Sequence, residues 1–216
     1  QKLANKAEEF RGKEDLKQDS LFTVNNEGVF YPFYQRAEDM SGDIAEAVLN
    51  MEVRDVYGPY LDKSAYFVAK LIDKRVVADS VEASHILRTV GQGSTATYEE
   101  ADAYIDSLMN LLKTNAASFE DLASANSQDQ GTAINGGELE IMAQGTMFPE
   151  INNALFVDSQ KNGLYKVRTS RGVHIFKVRN IIFNDREPKY KVALVRSVIV
   201  PSENTQNAVY DKADAV

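Results

Sequence analysis

The stretch Thr169-Ser170-Arg171-Gly172-Val173-His174-Ile175-Phe176-Lys177-Val178 reads as a tight turn entering an apolar strand. Ser170-Arg171-Gly172 supplies the turn chemistry, and the β-branched and aromatic residues on either side favour a hairpin of residues 164–169 with 173–178. His174 sits among aliphatic and aromatic neighbours. The chain has only two histidines, and the other, His85, stands in Ser84-His85-Ile86-Leu87, within an equally apolar strand-like run over residues 81–90. A single strand histidine most often just satisfies a neighbouring polar group. Two strands, each with its only histidine in the same setting, point to a shared site.

Outward from these strands the pattern alternates with helices. Residues 91–96 read as a flexible loop. Thr97 is a good N-cap and Glu100, three residues on, completes a capping box. Ala101, Ile105, Leu108 and Leu112 then form one apolar stripe at helical spacing, which is read as core. Ser118 caps a second helix with Asp121 three residues on, turning Phe119, Leu122 and Ala123 inward. Gly136-Gly137 is a turn, and Pro149 suits a helix's first turn, where its missing N–H leaves nothing unpaired. That helix buries Ile151, Leu155 and Phe156. Residues 190–200 predict a long strand, and a helix is expected to start at Ser202 and to be cut short at Val216. In the first part of the chain, residues 1–27 predict a helix and then a loop. Ile44, Ala47 and Val48 predict a short helix over 42–50, Tyr57-Gly58-Pro59-Tyr60 a turn, and residues 65–72 a strand.

The chain also echoes itself. Met40-Ser41-Gly42-Asp43-Ile44 resembles Met147-Phe148-Pro149-Glu150-Ile151, Ala47-Val48-Leu49 matches Ala154-Leu155-Phe156, and residues 65–71 match 172–178, all at an offset of 107 residues without a gap. This predicts a half-copy of one helix–turn–strand module. Phe67 stands where His174 stands, so the half-copy cannot carry the same chemistry.

Bulk composition sets limits. With 216 residues, 44% hydrophobic and 26% charged, the chain suits one or two globular domains that need no staples. It has no cysteine, which excludes disulfides, thiolate metal sites and cysteine nucleophiles. Its net charge of −8 and its lack of a Lys/Arg cluster argue against nucleic acid and basic membrane-surface helices as partners. No apolar run approaches the ~20 residues of a membrane span. The chain starts at Gln1 and not at a methionine, so it is read as a processed or excised piece.

Five segments in order carry a family resemblance: His85-Ile86-Leu87; Phe119-Glu120-Asp121-Leu122-Ala123 followed by Ser127-Gln128-Asp129; Gly136-Gly137-Glu138-Leu139; Gly145-Thr146-Met147-Phe148-Pro149; and Thr169-Ser170-Arg171-Gly172-Val173-His174-Ile175. Each alone is weak; the ordered set resembles the parvulin-type peptidyl-prolyl cis/trans isomerases. The lead-in, Tyr57-Gly58-Pro59-Tyr60-Leu61 and then Asp79-Ser80-Val81, looks like that of bacterial PpiD-like foldases, relatives of SurA and PrsA.

The resemblance implies an α+β fold: a parvulin-like four-stranded antiparallel sheet wrapped by helices, preceded by an N-terminal partial parvulin-like α/β segment. The expected organisation is an N-terminal segment 1–78 with the half-repeat at 40–71, an isomerase domain 79–183, and a strand and truncated helix over 184–216. It implies that His85 and His174 are adjacent at the sheet centre, bonded to each other or to Thr169, and that Asp129 lies at the mouth of the site. His85, Asp129, Thr169 and His174 are thus the expected catalytic residues. Leu139, Met147, Ile151 and Phe156 are expected to line an apolar slot for the proline ring. Three positions depart from the family pattern: Ile151 replaces a phenylalanine at the slot floor, Glu140 a glycine, and Asn126 an aromatic residue. These put catalytic efficiency in question and leave the fold intact.

The expected function is prolyl cis/trans isomerisation in an extracytoplasmic folding factor, with unfolded or nascent exported chains containing X-Pro bonds as partners. The expected location is the periplasm or cell envelope, in a parent anchored to the inner membrane. The alternative is a catalytically silent chaperone module that binds unfolded polypeptide. No cofactor is expected, because no bond is broken. A metal site of His85, His174 and Asp129 is supported by residue type alone. The loop over 88–98 has one basic residue, Arg88, so no preference for phosphoserine-proline is expected.

Overall fold

The computed structural model describes residues 2–26, 28–91 and 93–199. They form two compact units: residues up to Arg75 together with those from Lys189, and Val76–Pro188 between them. The first unit opens with α1 (Lys2–Arg11) and α2 (Leu16–Asn25), followed by β1 (Val29–Phe30), the short helix α3 (Ile44–Ala47), and the hairpin strands β2 (Val56–Asp62) and β3 (Ala65–Arg75). Residues 1–27 therefore hold a second helix where a loop was expected. Asp15 starts it, its side chain accepting the Gln18 N–H at 2.8 Å. Tyr57–Tyr60 is not the expected turn: it lies within β2, where the register with β3 slips between Tyr57 and Tyr60 around a cis Gly58–Pro59 bond. The proline lacks an N–H, and an edge strand with a bulge accommodates that.

The second unit contains β4 (Ser80–Thr89), α4 (Tyr98–Lys113), α5 (Phe119–Asn126), α6 (Gln130–Ala133), β5 (Met142–Ala143), α7 (Pro149–Asn152), a π-helical turn Asn153–Val157, β6 (Leu164–Thr169) and β7 (Gly172–Ile182). Its four strands form an antiparallel sheet in the order β5-β4-β7-β6. The predicted caps are in place. Thr97 and Glu100 make both bonds of the capping box on α4, and Ser118 accepts from the Asp121 N–H at the start of α5. Pro149 opens α7.

Alternation along β4 and β7 sorts side chains onto two faces. Ile86, Val173 and Ile175 pack beneath α4 and α5, against Ala101, Ile105, Leu108, Phe119 and Leu122. Burying each such aliphatic or aromatic side chain contributes about 1.5–3 kcal/mol, so this stripe fixes the helices on one face. Ala83, Phe176, Val178 and Val167 face the other way, against Ile151, Leu155 and Phe156 of the α7 segment. His85 and His174 belong to this second face by the same period of two.

After the second unit the chain enters β8 (Lys189–Val198), which pairs antiparallel with both β3 and β1 to complete a sheet in the order β1-β8-β3-β2. Residues 184–216 were expected to form a separate segment; the strand in it instead fills the centre of the first unit. The reason is burial: Val192, Ala193 and Val195 are almost fully enclosed, which a lone strand could not achieve. The helix expected from Ser202 lies outside the described residues. No helix among the described residues is long and apolar enough to cross a membrane.

Candidate active site

The site of the second unit grows from β4 and β7, the two central strands of its sheet. In register, His85 faces Phe176 and Leu87 faces His174, so the imidazoles are diagonal neighbours. Their ring centroids lie 5.9 Å apart, and Phe176 packs against both, stacked on His174 at 5.5 Å and tilted against His85 at 5.7 Å. Of the two expected arrangements, a bond between the histidines or one to Thr169, the structure has the second, within two separate polar pairs. His85 Nε2 lies 2.7 Å from Asp129 Oδ2 and 3.0 Å from Thr132 Oγ1. His174 Nε2 lies 2.9 Å from Thr169 Oγ1, which also accepts the Arg171 N–H.

Local structure brings Asp129 to this position. The α5 helix ends at Asn126, and the following residues run back along β4. The Leu87 N–H donates to Ser127 Oγ, and the Gln128 N–H donates to the Leu87 carbonyl. Asp129 then caps α6, its Oδ1 accepting the Gly131 N–H, and keeps its second oxygen for His85. Its side chain is 35% exposed while that of His85 is 9% exposed, so the pair spans the boundary between core and solvent.

Burial decides the charge states of the two histidines, and hydrogen bonding that of Asp129. Burial holds His85 below the ordinary imidazole value, outweighing the opposing pull of Asp129. Burial, together with the nearby His85 and Arg171, depresses His174 to about 4. His174 Nδ1 is buried and has no hydrogen-bond partner among the described residues, so a proton there would find no acceptor. Burial alone would raise the Asp129 pKa, but the hydrogen bond and charge of His85 and the donors of Thr132 and Gly131 win and lower it. At neutral pH the set is two neutral imidazoles and one carboxylate. In that state the neutral His85 donates from Nε2 to Asp129.

Beside this polar set lies the apolar group expected to line the slot. Ile151 and Phe156 are 2% and 4% exposed and belong to the core beneath the sheet. Leu139 and Met147 are half-buried and pack at the edge of that core. The floor is thus nearly closed, and the rim residues are the accessible part. Ile134, Ile141 and Phe148 add exposed apolar surface to the segments that carry the rim. All eight residues singled out from the sequence lie in this unit. Thr132 and Phe176 were missed, although both were legible: Thr132 is one helical turn from Asp129, and Phe176 shares the strand face of His174. Among the described residues no group of three His, Asp or Glu side chains is placed to hold a metal ion, so His85, His174 and Asp129 do not form one.

Comparison with known proteins identifies the family. A family model described as the PPIC-type PPIase domain matches residues 66–181. The chain is 28% identical over 146 residues to the chaperone SurA of Shewanella sp. (strain MR-4), covering 66% of this chain and 33% of SurA. It is 26% identical over 152 residues to SurA of Pseudomonas putida, covering 67% of this chain and 34% of that protein. The chain therefore spans about a third of the length of these curated relatives. Among solved structures, the peptidylprolyl isomerase PrsA of Bacillus anthracis aligns over 62% of this chain and 50% of its own, at 24% identity and a TM-score of 0.39. The solution structure of TbPIN1 aligns over 47% of this chain and 98% of its own, at 25% identity and a TM-score of 0.43. With the family match spanning more than half its length, this chain belongs to the PPIC-type, or parvulin-type, family of peptidyl-prolyl cis/trans isomerases.

Proposed function

We propose that the second unit catalyses prolyl cis/trans isomerisation on unfolded or extended chains outside the cytoplasm, as part of a folding factor anchored to the inner membrane. The observation that carries the catalytic reading is the adjoining of an ionised Asp129, bonded to a neutral His85, with an apolar edge formed by Leu139 and Met147. The SurA and PrsA names of its relatives support the extracytoplasmic reading and its clients.

The chemistry needs no nucleophile. Amide resonance sets a rotational barrier of ~18–20 kcal/mol, and that resonance places partial negative charge on the carbonyl oxygen. A carboxylate beside that oxygen opposes the planar form and is relieved as the amide twists. Leu139 and Met147 grip the proline ring, with Ile151 and Phe156 as the floor beneath. Thr169 holds the His174 imidazole fixed, which keeps Phe176 and His85 in place. Rate acceleration comes from binding the twisted amide better than either planar isomer.

Proline-containing peptides followed by NMR exchange, without a coupled protease, test this. Acceleration is expected in the wild type, with a loss of about tenfold or more in Asp129→Ala and in Met147→Ala, the scale of one lost electrostatic or positioning contact. No acceleration at high protein concentration would end the catalytic reading. The nearly closed floor favours a second one, a silent module that binds extended polypeptide. Binding without acceleration, together with a gain of activity in Ile151→Phe, would select it.

A further inference from the structure

We propose that the first unit is a second copy of the isomerase fold, wired in permuted order and closed by β8, and that it carries none of the catalytic groups. The two sheets have equivalent orders, β1-β8-β3-β2 and β5-β4-β7-β6, and every neighbouring pair is antiparallel. β3 and β7 start and end 107 residues apart, at 65 and 172 and at 75 and 182. β8 takes the place of β4 at an offset of 109: Phe67 pairs with Arg196 as His174 pairs with Leu87, and Leu71 pairs with Val192 as Val178 pairs with Ala83.

Irregularities repeat as well, and these are harder to obtain by chance than a regular ladder. The register slips between Leu71 and Asp73 in one sheet and between Val178 and Asn180 in the other, so the extra residues are Ile72 and Arg179, again 107 apart. The isolated bridge of Gln35 with Tyr190 corresponds to the pairing of Met142 with Val81. In each unit a lysine at the same strand position reaches an acid on the second helix: Lys70 to Asp19 on α2, and Lys177 to Glu120 on α5.

Only the order of the chain differs. In the second unit the strand at the position of β4 comes first. In the first unit it comes last, after the whole of Val76–Pro188. Arg75 and Lys189 are cross-strand partners, so the catalytic unit is inserted where a hairpin turn would otherwise join β3 to β8. The catalytic positions are replaced one by one: His174 by Phe67, His85 by Leu194, Thr169 by Asp62 and Phe176 by Ala69. A hydrocarbon at both imidazole positions leaves no pair to organise a carboxylate. The first unit therefore has the platform without the chemistry, and all isomerisation resides in the second.

The full chain tests both parts. Ala193 is fully buried in β8, as Ala83 is in β4. In Ala193→Asp, amides of residues 2–75 are expected to lose about tenfold or more of their hydrogen-exchange protection, while those of 80–182 and the isomerase rate stay within about twofold. Ala83→Asp is expected to do the reverse. In the unmodified chain, amides of β8 should lose protection with β3 in rising urea and not with β4 and β7. A double variant, Ala69→Cys with Leu194→Cys, places two thiols directly opposite in the cysteine-free chain and should cross-link within one molecule. Phe67→Ala should leave the isomerase rate within about twofold. Protection of β8 that follows β4, a failure to cross-link, or a tenfold rate loss in Phe67→Ala would overturn the proposal.

Discussion

His174 shows how burial sets the charge at a single position, and Asp129 how hydrogen bonds and a neighbouring charge override it. Both imidazoles are held below 6.5, and Asp129 below the ordinary carboxylate value, so nothing in the site titrates between pH 7 and 8. The isomerisation rate is expected to be flat over that range and to fall only on acidification; a break near pH 7 in the rate profile would contradict the neutral-imidazole site. A second residue of interest is Gly137, whose backbone sits at φ 79° with its carbonyl accepting the His85 N–H at 2.7 Å. A Cβ there would lie 2.3 Å from the His85 carbonyl oxygen. Gly137→Ala therefore combines backbone strain with a backbone clash beside the catalytic strand. It should destabilise the second unit by about 2 kcal/mol or more, read by denaturant unfolding of that unit's amide signals.

At the scale of elements, the first unit's helices are tied to its sheet by one buried charge. Asp19 of α2 is fully enclosed and receives Lys70 of β3 at 3.0 Å and Arg54 at 2.5 Å. Lys70 Nζ also donates to the carbonyls of Phe10 and Lys13 at the end of α1. Removing one partner leaves a buried charge without its counter-ion, which costs about 3–5 kcal/mol. Asp19→Ala should thus loosen α1, α2 and β3 together in hydrogen exchange and leave the isomerase rate unchanged. The loop between β4 and α4 argues a different point. Arg88, at the end of β4, lies over the Tyr104 ring at 4.7 Å, and the loop itself has no basic residue. Phosphorylation before the proline is therefore expected to give no gain in kcat/KM in paired peptide assays.

Across the whole chain, two cores imply two thresholds of stability. The neutral histidines lie only in the second unit. The His174 pKa falls from 6.5 to about 4 on folding, so the unfolded chain binds the extra proton between those values. The stability this gives is complete above pH 6.5 and is lost as the pH falls toward 4. Between pH 6.5 and 5 the loss is about 2 kcal/mol, and His85 adds in the same direction. Asp129 contributes in the same direction, its stability present above the unfolded carboxylate value and lost only at lower pH. Acidifying from pH 7 to 5 should lower the melting temperature of the second unit's amide signals and remove little from those of the first. His174→Gln should flatten that dependence.

Local chemistry made much of this readable from sequence. Thr97, Ser118 and Pro149 marked helix starts because capping is decided within three residues of the cap. The apolar runs around His85 and His174 marked two strands because aliphatic, β-branched and aromatic residues suit a buried pleated surface. The family motifs contain six of the eight site residues, and the wider resemblance supplied Ile151 and Phe156. Other features waited for the fold. That Asp129 bonds His85 and not an open mouth depends on Ser127 and Gln128 being laid along β4, a contact made 40 residues apart in the chain. That Ile151 and Phe156 are closed off depends on how α7 packs across the sheet. The place of β8 was least visible of all. Its pattern specifies a strand, but a strand's partners are chosen by which sheet can bury its face, and only the assembled first unit offers that slot between β3 and β1.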